Sequence, residues 1–297
     1  MSIAYDFTFA ELAIEYFTTG DNDFIKRIAA LDATKHILNH AVHFGNNFVP
    51  TTSAHEFVEF LLTSIAGPAE KRHQILPKVT ENLAYAKKNI AETAIAENIA
   101  LQYLPKGFTF LGTLYFTCGY DIGVAFGNNC SLNIAHPIFL RDKTEMKYYA
   151  IHEIHHAGFI ELSGTMPSLD IPDRKSMATL IEYLTFLEGM GTYAPLDLRL
   201  QDNATDADSD YVALCNPAVL NSLVCEYFDI YHYFADNPDK AITEDDWRKI
   251  SILSDEKRLW YIVGAFMAWT IDKRLGRDFL TDLITQPPKR FITSYLG

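Results

Sequence analysis

Apolar residues recur every three or four positions through the first third of the chain. The repeat is clear in residues 9–17 (FAELAIEYF), 23–44 (DFIKRIAALDATKHILNHAVHF) and 54–65 (AHEFVEFLLTSI). That period places one apolar stripe on each helix and predicts a largely helical region over residues 8–105. Gly20-Asp21-Asn22, Gly45-Asn46-Asn47 and Gly67-Pro68 punctuate it, and residues 101–107 (LQYLPKG) close it.

The pattern then shortens. Residues 108–119 (FTFLGTLYFTCG), 121–129 (DIGVAFGNN) and 131–140 (SLNIAHPIFL) are rich in aromatic and β-branched side chains and broken by Gly and Asn. They predict two to four strands. Asp142 followed by Glu145 fits the start of a helix, which is expected to run to about Gly158. A loop over 162–174 contains Gly164, Pro167 and Pro172. A second helix is expected over about 175–188, ending at Gly189. Residues 200–210 (LQDNATDADSD) read as an exposed acidic connection, and from 217 the period is helical again, interrupted at Pro287-Pro288. The expected class is α+β, predominantly helical, with a small sheet ahead of the helix that carries residues 152–156. Three stretches are expected: an N-terminal helical region 1–105, a central core 106–200 and a C-terminal helical region 201–297, the last packing on the core, with one compact unit as the alternative.

Composition narrows the function classes. The chain has 297 residues, 48% of them apolar, with 20 Phe and 16 Tyr, which suits a folded domain with a large core. Its net charge of −13 and the lack of a basic stripe argue against nucleic acid as a partner. No stretch reaches the roughly 18 apolar residues of a membrane span. The N-terminus lacks the basic and apolar regions of a secretion signal, so a cytoplasmic protein is the expectation. Cys118, Cys130, Cys215 and Cys225 include no C-x-x-C pair and read as buried thiols rather than a disulfide framework.

The chemistry concentrates in His152-Glu153-Ile154-His155-His156. On a helix, residues four apart lie on one face, so His152 and His156 can reach one metal ion together. Glu153, beside the first imidazole, is placed to accept a proton from water at the metal. This is the H-E-x-x-H arrangement. Zinc in a catalytic site takes a third protein ligand and leaves a fourth position open. Glu182 and Glu188 compete for the third place. They are six apart and face different sides of their helix, so only one can serve. Glu188 is favoured because Gly189 and Gly191 beside it allow another backbone to approach. His155 points about 100° away from His156 and reads as a packing residue. His36, His40 and His43 recur at helical spacing and read as one polar helix face. His136, on the stretch expected to form an edge strand beside the metal helix, is a candidate for substrate contact.

With these residues in place, the chain resembles the gluzincin metallopeptidases. The resemblance rests on H-E-x-x-H followed by Glu188-Gly189-Met190-Gly191-Thr192-Tyr193, and it is nearest to uncharacterised zinc-dependent protease families of that clan. It implies a zincin-like core in which residues 131–140 supply the edge strand and His152, His156 and Glu188 bind one Zn2+ per chain. Glu153 would then be the base, acting on a peptide or protein substrate. Trp260-Tyr261-Ile262-Val263-Gly264-Ala265 is similar to the Tyr-x-x-Gly-Ala helix start of gluzincin aminopeptidases, and this implies that Tyr261 stabilises the oxyanion, with Tyr231 and His232 as substitutes. The Gly-x-Met-Glu-Asn segment by which those aminopeptidases recognise a free N-terminus is absent; Gly127-Asn128-Asn129 stands in a loosely similar place without the acid. A zinc hydrolase of non-peptide amides and a non-catalytic zinc protein are the alternatives. Substrate and oligomeric state are not legible in the sequence.

Overall fold

The computed structural model describes residues 3–44, 53–66, 69–164 and 166–297. The expected breaks at Gly45-Asn46-Asn47 and Gly67-Pro68 lie outside the described residues. The fold is α+β and predominantly helical, with one four-stranded sheet. The chain divides into two compact units, Met1–Ile99 with Thr109–Gly158, and Ala100–Phe108 with Phe159–Gly297.

The first unit carries the sheet. Its strands are β1 (Ala4–Asp6), β2 (Thr113–Thr117), β3 (Gly123–Phe126) and β4 (Asn129–Asn133), in the order β1-β2-β4-β3. β1 runs parallel to β2 and β2 parallel to β4, while β3 is antiparallel to β4. A two-residue turn at Gly127-Asn128 joins β3 to β4. Gly127 takes φ 61°, which a hairpin turn of this length demands and which glycine adopts without a steric penalty. Asn133 ends β4 and shapes the turn after it, since its Oδ1 accepts from the amides of Gly119 at 2.8 Å and Ala135 at 3.1 Å. The helix Asp32–His43 packs on this sheet through its histidines.

Residues 131–140 do not form the expected edge strand. β4 stops at Asn133 and lies inside the sheet, between β2 and β3, so the edge on this side is β3. Pro137 opens a short helix, Pro137–Arg141, because it has no amide hydrogen to give a sheet and its φ suits a first helical turn. His136 is the N-cap of that helix, its Nδ1 facing the amide of Ile138 at 3.4 Å.

The helix Glu145–Ser163 carries residues 152–156. Asp142 introduces it by accepting from the amide and hydroxyl of Thr144, at 2.9 and 2.7 Å. It runs through Gly158 rather than ending there. From Ala150 to Phe159 every residue is buried except His152, which is half-buried. Over this stretch the helix presents no exposed face, and its polar residues Glu153, His155 and His156 are buried.

The second unit is helical. The helices Arg174–Tyr193 and Leu259–Leu275 cross at Gly189 and Gly264. A Cβ on Gly189 would lie 2.4 Å from the carbonyl carbon of Gly264, and one on Gly264 would lie 2.4 Å from the carbonyl oxygen of Thr185. This contact explains why the first of these helices does not end at Gly189 as expected. The glycine serves a helix crossing, not a C-terminal cap. Beyond the crossing, the Tyr193 hydroxyl donates to Asp272 at 2.6 Å, and the Arg277 Nε donates to the same carboxylate at 2.7 Å. Phe186 stacks on Phe291 with ring centroids 4.2 Å apart, which fixes the last helix, Lys289–Leu296, after the Pro287-Pro288 break.

Candidate metal centre

The structure brings His152, His156 and Glu188 together. One potential ligand atom from each lies within 4.8 Å of the others, and among the described residues no fourth His, Cys, Asp or Glu joins the group. His152 and Glu188 are half-buried and His156 is buried. Two imidazole nitrogens and one carboxylate oxygen make a donor set that suits zinc, and three protein ligands leave one position for a reactant. The residues present therefore fit a zinc ion.

Glu182 is engaged elsewhere. It is buried, and its Oε1 accepts a 2.7 Å hydrogen bond from the Tyr231 hydroxyl. Burial pushes its carboxyl above the usual range, with the Tyr231 hydrogen bond acting the other way. The same bond occupies Tyr231, one of the two substitutes for Tyr261. The other, His232, is largely exposed and faces Asp236 at 3.9 Å.

Glu153 is buried. Its carboxylate lies against the backbone of Gly123, the first residue of edge strand β3: a Cβ there would sit 2.7 Å from Oε1 and 2.9 Å from Cδ. No residue with a side chain fits at 123 while Glu153 keeps this position. Sequence reasoning overlooked Gly123, although a glycine inside a strand pattern signals close approach of another group. Burial first, and the charge of Glu153 second, push the Cys130 thiol well above its ordinary range. Cys118 and Cys130 are buried as expected, but Cys215 and Cys225 are exposed; all four are free thiols.

Tyr261 is half-buried at the start of the helix Leu259–Leu275. The guanidinium carbon of Arg258 stands 3.7 Å from the centre of its ring. Arg258 is the helix N-cap and adopts the left-handed conformation at φ 51°. Its Nε donates to both carboxylate oxygens of Asp210, at 2.9 and 2.8 Å. Asp210 is 4% exposed, whereas the acidic stretch before it is largely exposed, as its composition suggests. Burial is the main reason the Asp210 carboxyl is pushed up to about 6; Arg258 opposes the rise, while Asp208 and Glu188 add to it. Burial works to loosen the Arg258 proton, but Asp210, Tyr261 and Glu188 together hold it more tightly than usual. The field of Glu188 thus reaches the Arg258–Asp210 pair.

The histidines of Asp32–His43 do not form a polar helix face. His36 is buried, with Nε2 3.4 Å from the Val124 carbonyl of β3, and burial pushes its pKa down to about 4. His40 Nδ1 pairs with the Tyr120 hydroxyl at 2.9 Å, and the His43 ring packs on Phe126. These rings support the sheet from the face of β3.

The H-E-x-x-H helix and a glutamate with a carboxylate oxygen within 4.8 Å of a nitrogen of each of its histidines make a candidate zinc site. The sequence agrees at the level of family: the chain belongs to the DUF5700 family, described as "putative zinc dependent peptidase", whose model matches residues 68–296. The match takes in the helices that carry His152, Glu188 and Tyr261 and extends well beyond the motifs behind the gluzincin resemblance. No curated protein and no solved structure matches the chain. Among the described residues no helix is long and apolar enough to cross a membrane.

Proposed function

We propose that this chain hydrolyses peptide bonds in peptide or protein substrates, with one zinc ion held by His152, His156 and Glu188 and with Glu153 as general base in a zincin-like core. The observation that carries the reading is the grouping of those three donor atoms within 4.8 Å, with Glu153 buried on the helix that supplies both histidines. The family description supports the reaction class.

Bound there, zinc supplies Lewis acidity, which brings the ionisation of water down towards about neutral pH. The chain's own groups do the rest. Glu153 Oε1 or Oε2 accepts the proton of the attacking water and passes it to the nitrogen of the leaving amine. Its position against Gly123 fixes where that proton can be taken up. Tyr261 donates its phenolic hydrogen to the carbonyl oxygen as negative charge gathers there. His155, buried and adjacent to His156 in sequence, packs the helix that orients the ligand histidines. An edge strand in a zincin-like core pairs with extended substrate, and β3 rather than residues 131–140 takes that part.

Metal analysis of gently purified protein should find about one zinc per chain, and Glu153→Gln should retain that zinc while losing hydrolysis of a mixed-sequence pool of quenched fluorogenic peptides. Glu188→Gln should lower zinc affinity far more than Glu182→Gln, whose carboxylate serves Tyr231. Metal-free protein, or full peptidase activity in Glu153→Gln, would overturn the proposal.

A further inference from the structure

The motif residues account for metal, base and oxyanion donor, but they leave the Asp210–Arg258 pair without a task. The pair is built expensively. Arg258 occupies the left-handed region at φ 51°, where a side chain clashes with its own backbone. Such a conformation persists only where the surroundings enforce it, and it marks functional sites often enough to prompt the question of use. The enforcing contact is Asp210, 4% exposed, which receives the Arg258 Nε on both of its oxygens. A carboxylate so deeply buried is unfavourable unless a cation meets it. Asp210 lies in the first turn of the helix Ser209–Leu214, whose cap is Asp208, while Arg258 caps the start of the helix Leu259–Leu275. The salt link therefore ties two helix starts together and leaves the guanidinium over the Tyr261 ring, its carbon 3.7 Å from the ring centre.

We propose that Arg258 is a positioning residue for Tyr261, aimed by the buried Asp210 carboxylate, so that the phenol is held in one orientation and made a better hydrogen-bond donor. The inference rests on the reading of Tyr261 as oxyanion donor. The physical basis is twofold. A cation over an aromatic face is attracted to its electron density and draws that density from the ring, which strengthens donation by the phenolic hydrogen. The stack also removes the freedom of the ring to swing about its first side-chain bond, so the donor is in place before charge develops. The left-handed turn is what allows this. In a right-handed helical geometry the side chain of residue 258 would project away along the preceding turn rather than back over residue 261. Arginine is required rather than lysine, because only a planar group can offer Nε edge-on to a carboxylate while its face covers a ring.

The test is a double-mutant cycle on the zinc-loaded protein, with Arg258→Lys and Tyr261→Phe alone and combined. The substrate is one quenched fluorogenic peptide that the wild type cleaves. Zinc content and melting temperature are measured for every variant. Tyr261→Phe should lower kcat. Arg258→Lys should lower kcat on the order of tenfold, the change expected from losing a desolvated cation–π contact, with KM altered less than about twofold. In the Tyr261→Phe background the same substitution should change kcat less than about twofold, because its effect passes through the phenol. Should Arg258→Lys fold poorly, Arg258→Leu combined with Asp210→Asn removes both charges, leaves no orphaned carboxylate and should show the same dependence on Tyr261. Equal losses in the two backgrounds, a change in KM alone, or no loss of kcat would overturn the positioning role while leaving Tyr261 as donor. Unchanged kcat in Tyr261→Phe would overturn the donor reading, and this inference with it.

Discussion

Gly189→Ala sets two physical effects against each other with opposite signs. In an ordinary helix interior alanine is better than glycine by about 0.5–1 kcal/mol, because glycine loses more backbone freedom on folding. Gly189 lies inside the helix Arg174–Tyr193, so helix propensity alone predicts stabilisation. The crossing predicts the reverse. The new methyl carbon would meet the Gly264 carbonyl carbon at 2.4 Å, its Cα at 2.5 Å and its oxygen at 2.8 Å. Carbon atoms rest at roughly 3.5–4.0 Å, so the shortfall is about 1 Å. The atoms in the way are backbone and cannot rotate aside; the helices must move apart. Overpacking of this kind destabilises by about 1–3 kcal/mol even where side chains can yield, so the upper part of that range is expected here against the propensity gain. The net loss corresponds to a fall of a few degrees in melting temperature for a chain of this size. Glu188 precedes the crossing by one residue, so the carboxylate moves with it. A displacement of about 1 Å in a catalytic group can lower a rate on the order of a hundredfold. Calorimetry and zinc affinity by competition with a chromophoric chelator read the two consequences, and both should fall together. A raised melting temperature with unaltered zinc affinity would refute the crossing as the reason for glycine at 189.

Two other perturbations probe the β3 side of the metal helix. Gly123→Ala should keep zinc but lower kcat at least tenfold, because Glu153 must leave its place to admit the methyl group; kcat and metal content measured together decide it, and an active Gly123→Ala protein would show that Glu153 works from another position. Burial holds the His36 pKa at about 4, below its ordinary 6.5, so the folded state binds fewer protons than the unfolded chain between those values. Stability should therefore fall as pH drops from about 6.5 to about 4, and urea unfolding at pH 7 and pH 5 should show a smaller fall for His36→Gln than for the wild type.

Periodicity was a good guide wherever a helix has one buried stripe. The helices of residues 8–100 and 217–296 follow their apolar spacing, and the Pro287-Pro288 break is where local chemistry puts it. The ends of the two site helices were less legible. Gly158 and Gly189 carry the local signature of a helix stop, and tertiary contact at Gly189 overrides it. β1 has only three residues, and what makes them a strand is pairing with Thr113–Tyr115, over a hundred positions away. His136 had the right composition around it for an edge strand, but the proline beside it decides for a helix. At the site, Glu188 could be preferred over Glu182 from its neighbours alone, because glycines announce close approach. The reason Glu182 is engaged, Tyr231, lies 49 residues on. Asp210 and Arg258 are 48 apart, each in an unremarkable polar context, and nothing local links them.

The bonds that Tyr193 and Arg277 make to Asp272 have a thermodynamic consequence for metal uptake. They tie the far end of the Glu188 helix to its neighbour through groups that owe nothing to an ion. Loading zinc should then order few residues of this unit, so its calorimetric signature should be a small heat-capacity change, unlike the large one of domains that fold around their metal. A chelator would strip such a protein without unfolding this unit, and returned zinc would find its carboxylate waiting.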